Sequence, residues 1–235
     1  MKAVSRTHIG NVRASNQDAL VIMPGRFGLF GVADGMGGHK AGDVASKMTS
    51  QTLQEKLSEQ KPSADLLRQG IEEANRLIYL EQLENPDYSG MGTTVTVLWE
   101  DAERVLLGHV GDSRCYRLSG GVLEQLSQDH SMVAELVRDG LLTPEEAEHH
   151  PYRNIITRAV GTGDTVDVDI QDYPKKPGDR FLLCSDGLYE YFTKDEICRY
   201  LAAESMEETA DAMLALALDR GGKDNISLVI AEVDA

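Results

Sequence analysis

The 235-residue sequence holds only three cysteines, Cys115, Cys184 and Cys198. An odd number at wide spacing makes a poor disulfide framework, and no C-x-x-C pair offers a zinc site. Cys115 and Cys184 lie in apolar, strand-like runs, where buried, reduced thiols are expected. Long hydrophobic runs are missing as well. No stretch reaches the roughly 20 apolar residues of a membrane span, and the opening MKAVSRTHIGNVRASNQD lacks the apolar centre of a signal peptide. A reducing cytoplasm follows as the expected location. Positive charge is scarce: 23 Lys and Arg face 39 Asp and Glu, for a formal net charge of −16. Such a chain repels the phosphate backbone of nucleic acids and the surface of anionic membranes, so neither is expected as a partner. There is no internal repeat and no low-complexity linker. The Rossmann phosphate loop is absent too, because Gly35-Met36-Gly37-Gly38-His39 lacks its glycine spacing.

What remains is an ordinary globular composition, 41% hydrophobic and 26% charged, long enough for one large domain. Ala19–Met23 and Phe27–Ala33 read as a hairpin turned at Pro24-Gly25. The period then changes. Val44 and Met48, then Leu53 and Leu57, are four apart, and Leu67, Ile71, Ala74 and Ile78 repeat the helical spacing after Pro62-Ser63. Four short strands follow: Thr93–Trp99, Val105–Val110, Arg114–Leu118 and Val122–Leu126. Their short joins suit antiparallel neighbours. Ser131–Gly140, Thr143–His150 and Glu207–Leu218 read as helices, and Val166–Ile170, Arg180–Cys184 and Ile226–Val233 as strands. Strand meanders broken by helix pairs predict an α+β fold of antiparallel sheets covered by helices.

Five aspartates share one local setting. Asp34 follows GLFGVA, Asp112 follows LLGHVG, Asp186 follows FLLCS, Asp224 precedes ISLVIAEV and Asp18 precedes ALVIM. Each stands at the end of an expected strand. Any one of them reads equally well as a turn residue, Asp-Gly above all. Five ends meeting in space would repel one another unless a cation intervened. Oxygen donors without a cysteine or histidine cluster suit Mg²⁺ or Mn²⁺ better than zinc. Gly35 would let the backbone come close to such an ion and offer its carbonyl. Arg13 has the fork that matches phosphate oxygens, although a solvated surface arginine is the plainer reading. His39 has the pKa of a general acid, or is a structural loop histidine.

In order along the chain, RASNQD (13–18), DGMGGHKAG (34–42), GMGTT (90–94), GDSR (111–114), Asp129-His130, SDGL (185–188) and GKDN (222–225) together resemble the protein phosphatase 2C family, the metal-dependent Ser/Thr protein phosphatases, in its compact bacterial form. The resemblance covers nearly the whole chain. It implies a four-layer α-β-β-α sandwich, two antiparallel sheets flanked by helices, forming one catalytic domain over 1–235. It implies two Mn²⁺ or Mg²⁺ ions: Asp34 bridging them, Asp186 and Asp224 on one, the Gly35 carbonyl on the other. Asp112, with Asp186, would hold a third. Asp18 would orient water, Arg13 bind phosphate and His39 donate a proton. Two positions depart from the family pattern. Gln17 replaces a glutamate ligand of some members, and Glu190 replaces an aspartate of the third metal site.

The implied reaction is removal of phosphate from serine and threonine side chains by in-line attack of a hydroxide bridging the metals. No phosphoenzyme is needed, and no cysteine stands in a C-x5-R arrangement. Residues 132–158, carrying TPEEAEHHPYRN, match the family's flap, with His150 and Arg153 as substrate contacts or simply part of a solvated segment. The implied partners are phosphorylated proteins, with a Ser/Thr kinase and its substrates among them, and a monomer suffices. Three rival readings stay open at this point: an inactive phosphoprotein binder, a structural cation-binding module and a phosphatase of small esters.

Overall fold

Along the chain, the computed structural model describes residues 1–37 and 41–234. Its elements are β1 (Lys2–His8), β2 (Asp18–Met23), β3 (Leu29–Met36), α1 (Ala41–Leu57), α2 (Ala64–Glu84), β4 (Gly92–Thr93), β5 (Val95–Glu100), β6 (Arg104–Val110), β7 (Arg114–Ser119), β8 (Val122–Gln125), α3 (Met132–Arg138), α4 (Pro144–Glu148), β9 (Asp169–Pro174), β10 (Arg180–Cys184), α5 (Asp186–Tyr189), α6 (Lys194–Leu201), α7 (Met206–Asp219) and β11 (Ile226–Glu232). One sheet runs β1-β11-β10-β7-β8. The other runs β2-β3-β5-β6-β9, with β4 paired to β3. All pairings are antiparallel.

Period-2 side-chain alternation builds three apolar layers from these two sheets. Along β5, Val95, Val97 and Trp99 face α1 and α2, where they meet Leu53, Leu57, Leu67, Ile71 and Ile78. Leu98 faces the other way, into the layer between the sheets, with Phe30, Val32, Leu107, Phe181, Leu183 and Val229. On the far side Leu182, Leu228 and Ile230 pack against Ile197, Leu201, Met213 and Ala217 of α6 and α7. Helices, sheet, sheet, helices is therefore the layer order, as the resemblance implies. Each buried Leu or Ile contributes about 1.5–3 kcal/mol, so α1 is held firmly to its sheet. That matters because its first residues border the candidate site.

One expected strand shifts, and three elements, β1, α5 and α6, come without a sequence expectation. The strand expected at Val166–Ile170 is β9, Asp169–Pro174. Val166 and Val168 are drawn into the helix-side core, but the ladder begins only where Asp169 faces His109. β1 was not foreseen, because KAVSRTH is an edge strand with little apolar signal. Neither α5 nor α6 was foreseen. The signal for α6 was present: Thr193 and Glu196 form a capping box ahead of Ile197 and Leu201, a readable helix start. No helix of the described residues is long and apolar enough to cross a membrane.

One buried polar group inside the second sheet makes a contribution to stability that acid removes. His109 on β6 lies 2.9 Å from Thr96 Oγ1 through Nδ1 and 2.9 Å from the Gln128 carbonyl through Nε2. The carbonyl can only accept, so Nε2 carries the hydrogen. Burial, then the neighbouring His130, lowers the His109 pKa from 6.5 to about 4. The unfolded chain thus takes up this proton first. The contribution of His109 is lost as pH falls from 6.5 towards 4, by an amount approaching about 3 kcal/mol near pH 4. Urea unfolding at pH 7 and pH 4.5 checks this: because the chain's carboxylates respond alike in both proteins, the stability of His109→Gln relative to the parent chain should shift in the variant's favour between pH 7 and pH 4.5.

Candidate active site

The two sheets bring their aspartates to a common edge. Asp18 opens β2 and stands in register with Asp34 on β3, so both side chains lie on one face. From the other sheet, Asp186 follows the end of β10 as the first residue of α5, and Asp224 sits just before β11, the partner of β10. Asp112 lies in the turn between β6 and β7, after Gly111 at φ +107°. The Asp186 and Asp224 loops touch directly. A Cβ on Gly187 would lie 2.0 Å from the Asn225 carbonyl oxygen, so no side chain fits there.

Side chains between the sheets fix this edge. Ser185 Oγ donates to Asp18 Oδ2 at 2.9 Å and accepts from the Ser227 amide at 3.0 Å. Asn225 ties three segments together. Its Oδ1 accepts from the Gln17 amide at 2.8 Å, and its Nδ2 donates to the carbonyls of Ile9 and Ser15 at 2.9 and 3.0 Å. Thr94 Oγ1 accepts from the Asp34 amide at 2.9 Å, and Thr93 Oγ1 donates to the Asp34 carbonyl at 2.8 Å. Beneath Asp112, the Arg114 guanidinium bonds both oxygens of Asp129, the shortest contact being 2.6 Å. It lies 3.8 Å over the Tyr189 ring, bracing α5. All of these supporting side chains stand within the family-like motifs, Thr93 and Thr94 in GMGTT, Arg114 in GDSR, Asp129 in Asp129-His130, Ser185 in SDGL and Asn225 in GKDN, but a single Ser, Thr or Asn in a strand or turn has no pattern that tells its bonding role.

The electrostatics follow from the crowding. Burial raises the Asp18 pKa from 3.8 to about 6; hydrogen bonds from Ser227 and Ser185 oppose the rise, and the Asp224 charge adds to it. Asp34 is pushed well above the carboxylate range by burial, then by Asp18, Asp186, Asp112 and Asp224. Asp186 is raised similarly by burial, Asp112, Asp224 and Glu190. Asp112 reaches about 6 through burial and Asp129. Asp18 Oδ1 and Asp186 Oδ1 are buried without a hydrogen-bond partner among the described residues. Among those residues no three His, Cys, Asp or Glu side chains close into a ready cage. The fit to a cation rests instead on mutually repelling carboxylates and on their unpartnered oxygens. An oxygen-only donor set of this charge suits hard divalent ions.

Arg13 reaches the same place. Its Nη2 donates to Asp224 Oδ2 at 2.5 Å, and its other N–H groups have no partner among the described residues. Arg13, Asp186 and Asp224 line one pocket of about 360 Å³ together with Arg153 and Asn154 of the 132–158 segment. Seven of the eight expected site residues, Arg13, Asp18, Asp34, Gly35, Asp112, Asp186 and Asp224, thus fall at this edge. His39 lies outside the described residues. Gln17 is held by its backbone: its carbonyl accepts from the Gly35 amide at 3.1 Å and from Ser46 Oγ at 2.6 Å. Glu190 also lines the pocket.

Comparison with known proteins adds to this geometry. The profile of the family "Protein phosphatase 2C" matches residues 6–223. The serine/threonine protein phosphatase PstP of Mycobacterium tuberculosis is 39% identical over 236 residues, covering 99% of this chain and 45% of PstP. The chain thus spans less than half the length of that relative. The serine/threonine phosphatase stp of Listeria monocytogenes is 38% identical over 243 residues, covering 100% of this chain and 96% of stp. The crystal structure of M. tuberculosis PstP superposes with a TM-score of 0.93 at 37% identity, covering 100% of this chain and 99% of that one. The catalytic domain of PstP in complex with two manganese ions gives 0.90 at 36% identity, covering 100% and 98%.

Proposed function

Since the chain belongs to the protein phosphatase 2C family, we propose that it is a metal-dependent phosphatase hydrolysing phosphoserine and phosphothreonine in proteins. The observation that carries this reading is the meeting of Asp18 and Asp34 from one sheet with Asp186 and Asp224 from the other, beside Arg13. Asp34 would bridge two Mn²⁺ or Mg²⁺ ions, with Asp186 and Asp224 on one and the Gly35 carbonyl on the other; Asp112 and Asp186 would hold a third. When bound, the ions supply Lewis acidity, making water acidic enough to attack at neutral pH and offsetting phosphoryl charge.

The protein's own groups do the rest. Asp18, held by Ser185, accepts a hydrogen bond from the attacking water and orients it. Arg13 turns its remaining N–H groups to the phosphoryl oxygens. Water gives one proton to solvent, its oxygen bonds to phosphorus in line with the departing ester oxygen, the P–O ester bond breaks, and hydrogen phosphate is released. The serine or threonine oxygen is a poor leaving group as an alkoxide, and His39 is its proposed proton donor. The neutral Gln17 leaves the second ion with less negative charge, and hence held more loosely, than glutamate would. Substrates in this reading are phosphorylated proteins, a Ser/Thr kinase and its targets among them, met in the cytoplasm by a monomer.

Phosphate release from a phosphothreonine peptide is the test. After chelation the chain should release essentially none, and added Mn²⁺ should restore release. Undiminished activity in metal-free buffer would overturn the reading. Manganese that raises the melting temperature without any phosphate release would favour a structural cation-binding module instead.

A further inference from the structure

Building on the phosphatase reading, we propose that the active-site pocket contains a second anion subsite, formed by Arg153, Lys223 and the Tyr191 hydroxyl, which recognises a carboxylate or phosphate on the same peptide as the scissile phosphate. The pocket of about 360 Å³ that holds Asp186, Asp224 and Arg13 is also lined by these three residues. If Arg13 and the aspartates are committed to the reacting phosphoryl group and its ions, the other donors face the rest of the peptide.

Each donor has capacity to spare. Lys223 makes no ion pair among the described residues, and it lines the pocket beside Asp224, its neighbour in the chain. Tyr191 Oη accepts from the Lys223 amide at 2.9 Å. Its own hydrogen has no acceptor among the described residues and can be given to a ligand. The ring is fixed, since Tyr191 packs on the core beneath α6 and α7, its amide donates to the Leu188 carbonyl at 3.1 Å and its carbonyl accepts from Arg220. Arg153 is half-exposed, and its nearest acid is Glu190 at 4.0 Å, the outer limit of an ion pair, so an incoming anion can draw it away at little cost.

The net charge of −16 repels acidic peptides from a distance. That field is screened over about 8 Å at physiological salt, so within the pocket the local donors decide. A peptide already held by its phosphoryl group presents its second anion at high effective concentration. Two partly exposed cations then suffice for a measurable preference.

The experiment uses phosphothreonine peptides that carry, on one side or the other of the phosphoresidue, glutamates, a phosphoserine or glutamines. With Mn²⁺ present, kcat/KM for the glutamate and phosphoserine peptides should exceed that for the glutamine peptide roughly 3- to 10-fold on at least one side. In the Arg153→Gln/Lys223→Gln double variant the ratio should fall to about one, with the loss in KM. Taking the ratio on a single preparation cancels any difference in folded fraction. A ratio near one in the parent chain on both sides, or a ratio preserved in the double variant, overturns the subsite alone. Failure to release phosphate from any peptide or from p-nitrophenyl phosphate overturns the phosphatase reading and the subsite with it.

Discussion

Asp34→Asn should lower kcat on a phosphothreonine peptide by roughly 10³-fold or more and at the same time raise the melting temperature of the metal-free chain. The two effects come from the same charge. In the proposed reaction Asp34 holds both ions, and a neutral amide cannot replace a bridging carboxylate. Without the ions, that carboxylate is a burden. Burial and the charges of Asp18, Asp186, Asp112 and Asp224 hold its pKa well above the usual range. A carboxyl group raised in the folded state contributes stability at low pH that is lost as pH rises through its folded pKa. The gain from Asn should therefore be largest at neutral and alkaline pH. It should shrink when the chain is acidified below about pH 4, where the carboxylate is protonated in both states. The fold should survive, because the bonds to Thr93 and Thr94 are made by the Asp34 backbone. Activity assays with Mn²⁺, and melts in chelator at pH 7.5 and pH 4, give both readouts. Wild-type turnover in the variant would show that Asp34 is not a ligand, and a lower melting point at pH 7.5 that it is not a site of repulsion.

The local signals in the sequence located the chemistry better than they assembled it. GLFGVA before Asp34 and FLLCS before Asp186 mark strand ends, because a run buried on both faces is apolar throughout. Which ends share an edge is a matter of pairing. The match of Asp18 to Asp34 depends on the register of the β2–β3 hairpin, and that of Asp186 to Asp224 on β10 and β11 being neighbours despite α5, α6 and α7 between them. No local pattern contains that, and only the ordered motif set supplied it through the family resemblance. The strand expected at 166–170 moved because Val168 is buried and Val166 partly buried against the core without joining a ladder; apolar alternation reports burial, not hydrogen bonding. Ser185 and Asn225 stand within SDGL and GKDN, yet their bonding roles were not legible, for a different reason. Their importance lies in whom they bond, and the partners, Asp18, Gln17, Ile9 and Ser15, are far away in sequence.

Gly35→Ala, one residue along, should act in the opposite direction on stability. An alanine Cβ at this position would fall 2.1 Å from the Gly42 carbonyl oxygen and 2.5 Å from that of Gln17. Both are backbone atoms, so no side-chain rotation relieves the contact. Gly42 cannot retreat easily, because α1 is fixed to the sheet by Ala45, Leu53 and Leu57. Nor can Gln17, whose carbonyl is bound by the Gly35 amide and by Ser46. The expected loss is about 3 kcal/mol or somewhat more, the upper end of overpacking costs. Activity should fall about 100-fold even in the folded fraction, since a shift near 1 Å in a positioned group costs that much. Gly163→Ala is the control: its Cβ would meet only the Thr165 carbonyl oxygen at 3.5 Å, an ordinary contact, and stability should stay within about 0.5 kcal/mol of the parent. Thermal melts of both variants in chelator separate the steric effect from ion binding. If Gly35→Ala melted with its parent, α1 could not approach β3 as closely as the structure has it, and the Gly35 carbonyl would lose its place among the proposed ligands.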